Sequence, residues 1–490
     1  MKYFLGIDFG GGASKATLLG EDGVIAAEHS VEYPTHYPQP GFAEQNPDDW
    51  FSAVKENIAG VLKKSRISAD KISAVCLDAA THTAVLLDDA FHVLRPAIYW
   101  TDSRSVKQSV MLREQYDALI LKQALHQPDT IWTLPQLLWI REHEPEIWAK
   151  TRRVLFAKDY VRYLLTGIYC TDYIEAQGSM LFDYNTMNWS PELCEIAQFS
   201  PENLPKLHDP ADVIGTITRV AARETGLREE TPVLCGTTDT VMEVFAAGAI
   251  APGQMTVKLA TAGRICIVTE RAYSSPHLIN YSHVAKGLWY PGTATKSSAA
   301  SYRWYRDAFG GEYRQLDEGA AKISPGCDGL LFHPYLNGEL TPYADPLLRG
   351  SFTGVRAGHT KAHFSRAVLE GVALSLLDCK TALEQTGIPH ENAAAIIGGG
   401  AGSPLWRQIL SDALGLELRL SRNSDSSFGS AMLAGVAMGA FVDLADALEK
   451  CAKTVSVTLP NPVNTALYAS MFERYRQIQQ ALAPIYHQMG

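Results

Sequence analysis

The chain has 490 residues, of which 46% are hydrophobic and 20% are charged, and its formal net charge is −10. A chain of this length exceeds one hydrophobic core, so we expect two domains. The acidic balance and the absence of a basic run exclude nucleic acid as an expected partner. A compact anion can still bind such a protein through backbone N–H groups and a metal ion.

The cysteines and the apolar runs indicate where the protein works. Eight cysteines are scattered without CxxC or Cys/His spacing, which predicts reduced core thiols in a cytoplasmic protein. The first apolar run, in MKYFLGIDFGGG, is interrupted by Gly6 and Asp8 and is too short for a signal peptide. No apolar run approaches the length of about 18 residues that a membrane helix needs, so we expect no membrane partner.

The chain opens with three predicted strands, Tyr3–Asp8, ATLLG and VIAAEHSVEY. A helix follows in NPDDWFSAVKENIAGVLKK, with Asn46 as its N-cap and Pro47 at its first position. ISAVCLDA and TAVLLD then read as buried strands. The order β-β-β-α-β differs from the alternating units of a dinucleotide-binding fold.

The second half of the chain repeats the order of strands and glycine turn that opens the first half. Residues 104–215 are mostly helical in pattern, and Pro and Gly in IAPGQ (250–254) predict a domain change. The stretch MTVKLATAGRICIVTE then gives strand, glycine turn and strand, as the N-terminus does. We therefore predict two related α/β domains, 1–248 and 249–490, and a last helix over 465–487.

One carboxylate lies between a strand and a helix. VLCGTTDT (233–240) ends a short apolar run, and Asp239 precedes a helical stretch. Asp239 is either an N-cap of that helix or a catalytic base, because strand ends are where α/β proteins place their chemistry.

Three glycine turns are candidates for phosphate binding. Glycine lets backbone N–H groups approach a phosphate closely, so GIDFGGGASK (6–15) fits either that role or a tight hairpin. Asp8 precedes this turn and has the oxygen ligands that Mg²⁺ prefers. Thr261 and Gly263 lie at the tip of a second predicted hairpin, ATAGR. GGGAG (398–402) joins a strand to a helix, whose dipole favours anions.

Two further polar stretches have a functional and a structural interpretation. In TH (81–82) the structural alternative is a histidine with satisfied hydrogen bonds, and in WTDSR (100–104) it is a surface ion pair. Taken together, the stretches describe a phosphoryl-transfer site. Such catalysis needs phosphate donors, a metal carboxylate and a base for the acceptor hydroxyl. Asp8 and Asp239 fill the last two roles.

These motifs, in this order, resemble the FGGY family of carbohydrate kinases, and most closely its xylulokinase-like members. The resemblance covers nearly the whole chain. The matching stretches are GIDFGGGASK (6–15), PGFAEQNPDDW (40–50), LRPAIYWTDSRS (94–105), KDYVRYLLTG (158–167), GTTDT (236–240), ATAGR (260–264), FHPYLNGELTP (332–342), LEGVALSL (369–376), GGGAGSPLWRQILSDALG (398–415) and GSAMLAGVAMGAF. The resemblance implies an α/β protein of two actin-like (ribonuclease-H-like) domains with an intervening cleft, an N-terminal sugar-binding domain and a C-terminal ATP-binding domain.

The resemblance also implies roles for individual residues. Asp239 corresponds to the family's base, and Asp8 to the carboxylate that organises Mg²⁺ and ATP. The implied sugar contacts are Thr81, His82, Trp100, Asp102, Arg104 and Asp239. The implied nucleotide contacts are Gly11, Gly12, Ser14, Lys15, Thr261, Ala262, Gly263, Gly399, Gly400, Ala401 and Ser403. A homodimer is expected from the family.

The chain departs from the xylulokinase pattern at several positions. Thr81 precedes the shared His82, Thr240 follows the base where the family has Asn, and Leu340 replaces the Arg of GERTP. The first glycine turn also lacks a hydroxyl before Ser14. These departures leave the sugar open. We expect an ATP-dependent kinase of a ketopentose or a related sugar or polyol. The alternatives are an ATP-binding sensor or scaffold of the same fold, and an ATPase that drives a change of shape.

Overall fold

The N-terminal half folds with three strands before its first long helix, in the order that the sequence predicts. The structure, a computed structural model, describes residues 1–489. The strands up to residue 250 are β1 (Tyr3–Phe9), β2 (Ala13–Gly20), β3 (Ile25–Glu32), β4 (Glu44–Gln45), β5 (Ile72–Ala79), β6 (Ala84–Leu87), β7 (Ala97–Ile98), β8 (Arg153–Phe156), β9 (Cys170–Asp172), β10 (Phe182–Asp183), β11 (Asn188–Trp189), β12 (Lys206–His208), β13 (Val213–Thr216), β14 (Pro232–Leu234) and β15 (Thr237–Thr238). The helices are α1 (Pro47–Ser65), α2 (Val106–Ala124), α3 (Thr133–His143), α4 (Pro145–Lys150), α5 (Ala157–Thr166), α6 (Tyr173–Gly178), α7 (Pro191–Ala197), α8 (Arg219–Thr225) and α9 (Asp239–Ala246).

The rest of the chain has fewer strands and longer helices. Its strands are β16 (Met255–Leu259), β17 (Gly263–Ile267), β18 (Gly292–Thr295), β19 (Leu331–His333), β20 (Ser351–Thr353), β21 (Ala393–Ile397), β22 (Glu417–Ser421) and β23 (Thr454–Thr458). Its helices are α10 (Ala299–Phe309), α11 (Tyr313–Ala320), α12 (Lys361–Gln385), α13 (Pro404–Leu414), α14 (Ser426–Ala437), α15 (Leu444–Cys451) and α16 (Pro462–Met489). The predicted last helix thus begins three residues earlier than expected, at Pro462.

Helix α1 begins where the sequence predicts. The Asn46 side chain accepts a hydrogen bond from the Asp48 N–H, and Pro47 is the first helical residue. Because the first N–H groups of a helix have no partner within it, this cap and the proline together fix the start.

Two sheets share one strand order, which confirms the predicted repeat of organisation. The first is β3-β2-β1-β5-β14-β13, and the second is β18-β17-β16-β21-β22-β23. In both, the pairs run antiparallel, antiparallel, parallel, parallel and antiparallel in that order. The turns 10–12 and 260–262 therefore hold equivalent places, each after the first of the parallel strands.

The chain divides into two units, and it returns to the first unit twice. The first unit contains 1–250, 281–287 and 423–452, and the second contains 251–280, 288–422 and the residues from 453 onwards. Helix α14 belongs to the first unit, where its buried residues pack on β1, β5 and α9. The sequence pattern did not indicate these two returns.

Each unit has its own hydrophobic core. In the first unit, strands β1, β2 and β5 bury their apolar side chains against α1 and α5. In the second, β16, β17 and β21 pack with α12, α13 and the aromatic face of α16. Within residues 1–489, no helix is both long and apolar enough to cross a bilayer.

Candidate active site

Three carboxylates meet at the carboxyl ends of neighbouring strands in the first unit. Asp8 of β1 pairs in register with Asp78 of β5. Strand β15 also runs parallel to β5, which places Asp239 directly after it at the same edge. A Cβ built on Gly10 would lie 3.8 Å from Asp8 Oδ1 and 3.8 Å from Asp239 Oδ2, so both side chains converge on the first glycine turn.

Gly236 allows Asp239 to reach this place. Its φ is +69°, and a Cβ there would lie 2.0 Å from the Leu77 carbonyl oxygen. Only glycine combines this left-handed conformation with such a close approach of two backbones. The Gly of GTTDT therefore brings the chain onto β5 immediately before the carboxylate.

Asp239 is the first residue of α9 and not its N-cap. The N-cap position is Thr238, and its side chain makes no capping hydrogen bond. Asp239 Oδ1 instead accepts hydrogen bonds from the Thr240 N–H at 2.7 Å and from Thr240 Oγ1 at 3.2 Å. The structure therefore contradicts the interpretation of Asp239 as an N-cap, and its role as a base stays a prediction.

The electrostatics of the carboxylate cluster favour a cation. Burial, followed by the charges of Asp78 and Asp239, raises the pKa of Asp8 well above its ordinary value. Burial likewise raises the pKa of Asp78 to about 8. Asp8 Oδ1 is buried and has no hydrogen-bond partner in the part of the chain that the structure describes. A cation bound here would offset both the cost of burying ionised carboxylates and the repulsion between them.

The sequence interpretation missed Asp78 and two tyrosines beside the cluster. Ser430 Oγ on α14 donates a 2.5 Å hydrogen bond to Asp78 Oδ2. Tyr33 donates its hydroxyl to the Gly10 carbonyl at 2.8 Å. A Cβ on Gly11 would lie 3.2 Å from the Tyr99 hydroxyl, so this phenol lies at the same turn. Burial first, and then the charges of Asp239 and Asp8, raise the pKa of Tyr99. The sequence signal that could have identified Asp78 is a single acid within the apolar run ISAVCLDA.

The residues of the first glycine turn differ in their contacts. Gly11 is exposed and Gly12 is half-buried. Ser14 Oγ donates to the Asp8 carbonyl at 2.8 Å. Lys15 Nζ forms ion pairs with Glu28 at 2.6 Å and with Asp425 at 3.0 Å. Both side chains thus already have partners within the first unit.

His82 lies in a pocket of aromatic side chains at the end of β5. It is 7% exposed, and its φ is +51°, in the left-handed region. Its ring lies 5.0 Å from that of Trp132, which stacks on His126 at 4.2 Å. The Tyr281 ring lies 5.3 Å from that of His126. Burial lowers the pKa of His82 to about 3, so its imidazole is neutral.

Gly178 connects this aromatic group with Thr81. A Cβ on Gly178 would lie 2.9 Å from Thr81 Cγ2, 2.9 Å from the Tyr281 hydroxyl and 3.0 Å from His82 Cδ2. The structure therefore brings the predicted contacts Thr81 and His82 together with Trp132 and Tyr281, which the sequence interpretation did not name. Tyr281 belongs to the short segment 281–287, which packs in the first unit although its neighbours in the sequence lie in the second.

Asp102 and Arg104 form a buried network. Asp102 Oδ2 accepts from the Ala43 N–H at 2.6 Å and from Arg104 Nη2 at 2.8 Å. The Arg104 guanidinium also pairs with Glu44 at 2.8 Å and lies 3.9 Å from the centre of the Phe42 ring. The network fixes the segment that carries the half-buried Trp100, whose ring contacts Tyr99.

The second unit contains a cavity of about 730 Å³ where the other two glycine turns meet. Among the predicted nucleotide contacts, its walls include Thr261, Gly399, Gly400 and Ser403. Other residues lining the cavity are Tyr302, Arg303, Tyr313, Asp317 and Trp406. Gly263 and Ala401 are buried beneath the turns, and Ala262 is half-buried.

Polar contacts shape one wall of this cavity. Ser403 caps α13 by accepting from the Trp406 N–H. Ser403 Oγ donates to Asp317 Oδ2 at 2.6 Å, and the Tyr302 hydroxyl donates to Asp317 Oδ1 at 2.7 Å. The cavity therefore combines glycine turns at strand ends, a helix N-terminus and aromatic walls, which together suit a nucleotide.

Comparisons with known proteins match most of the chain to one family. The model of the FGGY family of carbohydrate kinases, N-terminal domain, matches residues 3–246, and that of the C-terminal domain matches residues 261–438. Xylulose kinase of Bacillus subtilis (strain 168) is 32% identical over 98% of this chain and 97% of its own length. Gluconokinase of the same organism is 30% identical over 91% of this chain and 89% of its own length.

Solved structures agree with these sequence matches. A ligand-bound xylulose kinase from Lactobacillus acidophilus covers 100% of both chains with a TM-score of 0.94 and 25% identity. The fold is that of a carbohydrate kinase with two actin-like domains. The chain belongs to the FGGY family of carbohydrate kinases, which confirms the resemblance seen in the sequence.

Proposed function

We propose that this protein transfers the γ-phosphate of ATP to a hydroxyl group of a ketopentose or a related sugar or polyol. The observation that carries the proposal is the convergence of the Asp8 and Asp239 carboxylates on one glycine turn. One acid is thereby available as a base and another as a centre for a cation, as phosphoryl transfer requires. The xylulose kinases among the relatives support a ketopentose, and the gluconokinase makes gluconate the rival substrate.

Asp239 acts as the general base in this proposal. Its Oδ2 takes the proton of the sugar hydroxyl as the hydroxyl oxygen forms a bond to the γ-phosphorus. The bond between that phosphorus and the β,γ-bridging oxygen breaks, and ADP leaves with the electron pair. Thr240 donates two hydrogen bonds to Oδ1, and a Cβ on Gly10 would lie 3.8 Å from Oδ2.

Asp8 would hold Mg²⁺, which neutralises the charge of the ATP phosphates when it is bound. The buried Asp8 Oδ1 without a hydrogen-bond partner in residues 1–489 fits this role. In the same part of the chain, no group of three or more His, Cys, Asp or Glu side chains forms a metal site by itself. That arrangement suits Mg²⁺, which usually keeps several waters and binds one or two carboxylates together with substrate phosphates.

The substrates would occupy the two sites already described. ATP would bind in the cavity of the second unit, with its phosphates at the turns that contain Thr261 and Gly399. The sugar would contact His82 and Thr81 and place a hydroxyl at Asp239. A neutral imidazole can donate to one sugar oxygen or accept from one hydroxyl without a charge of its own.

The test is ADP release with Mg²⁺–ATP across pentuloses, hexuloses, pentitols and gluconate, for the wild type and Asp239→Asn. We expect one sugar to stimulate turnover and the Asn variant to lose about 10²- to 10⁴-fold in kcat, because a positioned base contributes that much. Asp446→Asn, on the surface helix α15, is the matched control and should keep wild-type turnover. ATP binding without stimulation by any sugar would instead favour a sensor or scaffold.

Two further aspects of the proposal concern the cell. We propose a cytoplasmic protein, since all eight cysteines are buried free thiols, and a homodimer as the family resemblance implies. Fractionation and light scattering test these two points separately.

A further inference from the structure

His82 has a backbone conformation that needs an explanation. Its φ of +51° lies in the left-handed region, which residues with a Cβ rarely adopt. Such outliers persist where surrounding contacts hold them, and they are concentrated at functional sites. His82 is also the predicted sugar contact, so the groups that hold its peptide matter for the reaction.

Two side chains hold the His82 backbone from opposite ends. Glu175 Oε1 accepts the His82 N–H at 2.5 Å, and Thr133 Oγ1 donates to the His82 carbonyl at 2.8 Å. Glu175 and Thr133 are 1% and 0% exposed. Since the peptide is held on both sides, the direction in which the His82 side chain leaves the backbone is fixed as well.

Glu175 is itself placed by a buried cluster of charges. It lies on α6, whose N-cap Asp172 accepts from the Ile174 and Glu175 N–H groups. Lys158 Nζ forms ion pairs with Asp159 and with Asp172, the latter at 2.8 Å, and all three side chains are 0% exposed. Breaking a buried ion pair leaves an uncompensated buried charge, so we expect these pairs to stay together.

The same cluster reaches the strand before the base. Thr237 Oγ1 donates to Asp172 Oδ1 at 2.8 Å, and Thr237 lies two residues before Asp239. Asp172 therefore connects α6, which carries Glu175, with β15, which leads to Asp239. Asp172 is thereby linked through Glu175 to His82, one of the predicted sugar contacts, and through Thr237 to the segment of the predicted base.

We propose that Glu175 is a positioning residue for phosphoryl transfer, which acts through the His82 peptide that it holds in the left-handed conformation. The inference rests on the proposed function, in which His82 contacts the sugar. Without Glu175, the His82 N–H loses its acceptor and the peptide can relax towards negative φ. The imidazole then turns away from the sugar, while the ATP site in the second unit is unchanged.

The main test compares Glu175→Ala with Glu175→Gln in steady-state kinetics, using the sugar that stimulates the wild type. Glutamine keeps a carbonyl oxygen for the His82 N–H, whereas alanine removes the acceptor. We expect Glu175→Ala to raise the KM of the sugar at least tenfold, to leave the KM of ATP within twofold, and Glu175→Gln to restore most of the loss. Equal effects of the two variants, or an equal rise in both KM values, would overturn the proposal.

A double variant tests whether the effect passes through His82. In the His82→Ala background, we expect Glu175→Ala to change the KM of the sugar by less than about threefold, because residues that act as one unit are not additive. A further tenfold rise would show an independent role and overturn the inference.

Two more variants separate positioning from loss of stability. Asn57→Ala removes a buried side chain of α1 that is hydrogen-bonded to His29, and it should leave the KM of the sugar unchanged. Thr133→Val is nearly isosteric and removes the other bond to the His82 peptide, so it should raise that KM several-fold. If Glu175→Ala does not fold, Glu175→Asp takes its place, because the shorter side chain withdraws the acceptor from the His82 N–H, and an unchanged sugar KM in that variant overturns the inference.

The wild type separates this inference from the proposed function. Absence of any sugar-stimulated turnover overturns the function and the inference together. Sugar-stimulated turnover that Glu175→Ala leaves unchanged overturns the positioning role alone.

Discussion

Buried carboxyl groups occur in both units, and their neighbours decide what each can do. Asp8 and Asp78 face one another at a strand end that also receives Asp239. Glu339 of the GELTP stretch is instead surrounded by donors, namely Thr295 Oγ1 at 2.6 Å and the Lys296 and Leu340 N–H groups. The first environment concentrates negative charge at a turn, whereas the second stabilises a loop. Residue type alone does not distinguish these two cases.

Glu339 should make stability depend on pH. Burial raises its pKa to about 7, so the folded chain binds this proton more tightly than the unfolded chain does. The resulting stability is complete below the ordinary pKa of the group and is lost as pH rises through about 7. In thermal melts from about pH 5 to about pH 8, the midpoint of the wild type should therefore fall relative to that of Glu339→Gln.

The control for this prediction is Glu449→Gln, at an exposed position of α15. Its midpoint should follow that of the wild type at every pH. A constant difference between Glu339→Gln and the wild type would contradict a raised pKa of Glu339.

At the scale of elements, strand–glycine turn–helix or strand–glycine turn–strand segments build both sites. Each turn follows a parallel strand, and in GGGAG (398–402) the glycines divide into those that are crowded by neighbouring backbone or side chains and those that face open space. Gly398 has φ +91°, and a Cβ there would lie 2.6 Å from the Leu259 carbonyl oxygen. A Cβ on Gly399 would meet nothing within 4 Å, and Gly399 lines the cavity. Gly398 is therefore needed for the conformation of the turn, whereas the missing side chain of Gly399 leaves room in the cavity.

Alanine at these two positions should separate folding from nucleotide binding. Gly398→Ala should lower the free energy of unfolding by about 1–3 kcal/mol, because it adds strain and a backbone clash. Gly399→Ala should change that free energy by less than about 0.5 kcal/mol and should weaken ADP binding, because the methyl group enters the cavity. Urea unfolding and ADP titration measure the two effects. A stable Gly398→Ala would show that the turn is not constrained by Leu259.

At the scale of the whole molecule, the first unit is assembled from three separate segments of the chain. Helix α14 packs so closely on β1 that a Cβ on Gly6 would lie 1.9 Å from the Ser427 carbonyl oxygen. Ser427 and Thr17 also share a 2.7 Å hydrogen bond, and Ser430 bonds to Asp78. One face of the central strands therefore depends on residues 423–452, which lie between two segments of the second unit in the sequence.

A fragment of residues 1–250 should not fold by itself. Without α14, the apolar face of β1 and β5 is exposed and Asp78 loses its donor Ser430. We expect no cooperative thermal transition by circular dichroism for 1–250, and a transition when 423–452 is joined to it by a flexible linker. The control is the same linked fragment in which residues 423–452 keep their composition but are scrambled in order. Cooperative folding of 1–250 alone would contradict this dependence.

The sequence by itself determined the local pieces of this protein. It predicted the opening strand order, the start of α1 at Asn46 and Pro47, and the strand–turn repeat, because caps, glycine turns and apolar periodicity depend on neighbouring residues. The order of the motifs was also enough to recognise the carbohydrate kinase family. The individual site residues stay predictions, with Asp239 and Asp8 supported by their convergence at Gly10.

The tertiary structure decided what distant residues do together. Asp78 meets Ser430 across 352 positions, Tyr281 joins the aromatic group at His82, and Glu175 holds a peptide 93 positions away. No local pattern encodes such pairs, because each depends on which strands and helices pack together. The same reason explains why the two returns of the chain to the first unit were not visible in the sequence. A buried carboxyl group becomes a base, a cation site or a support for a peptide only through neighbours that the fold supplies.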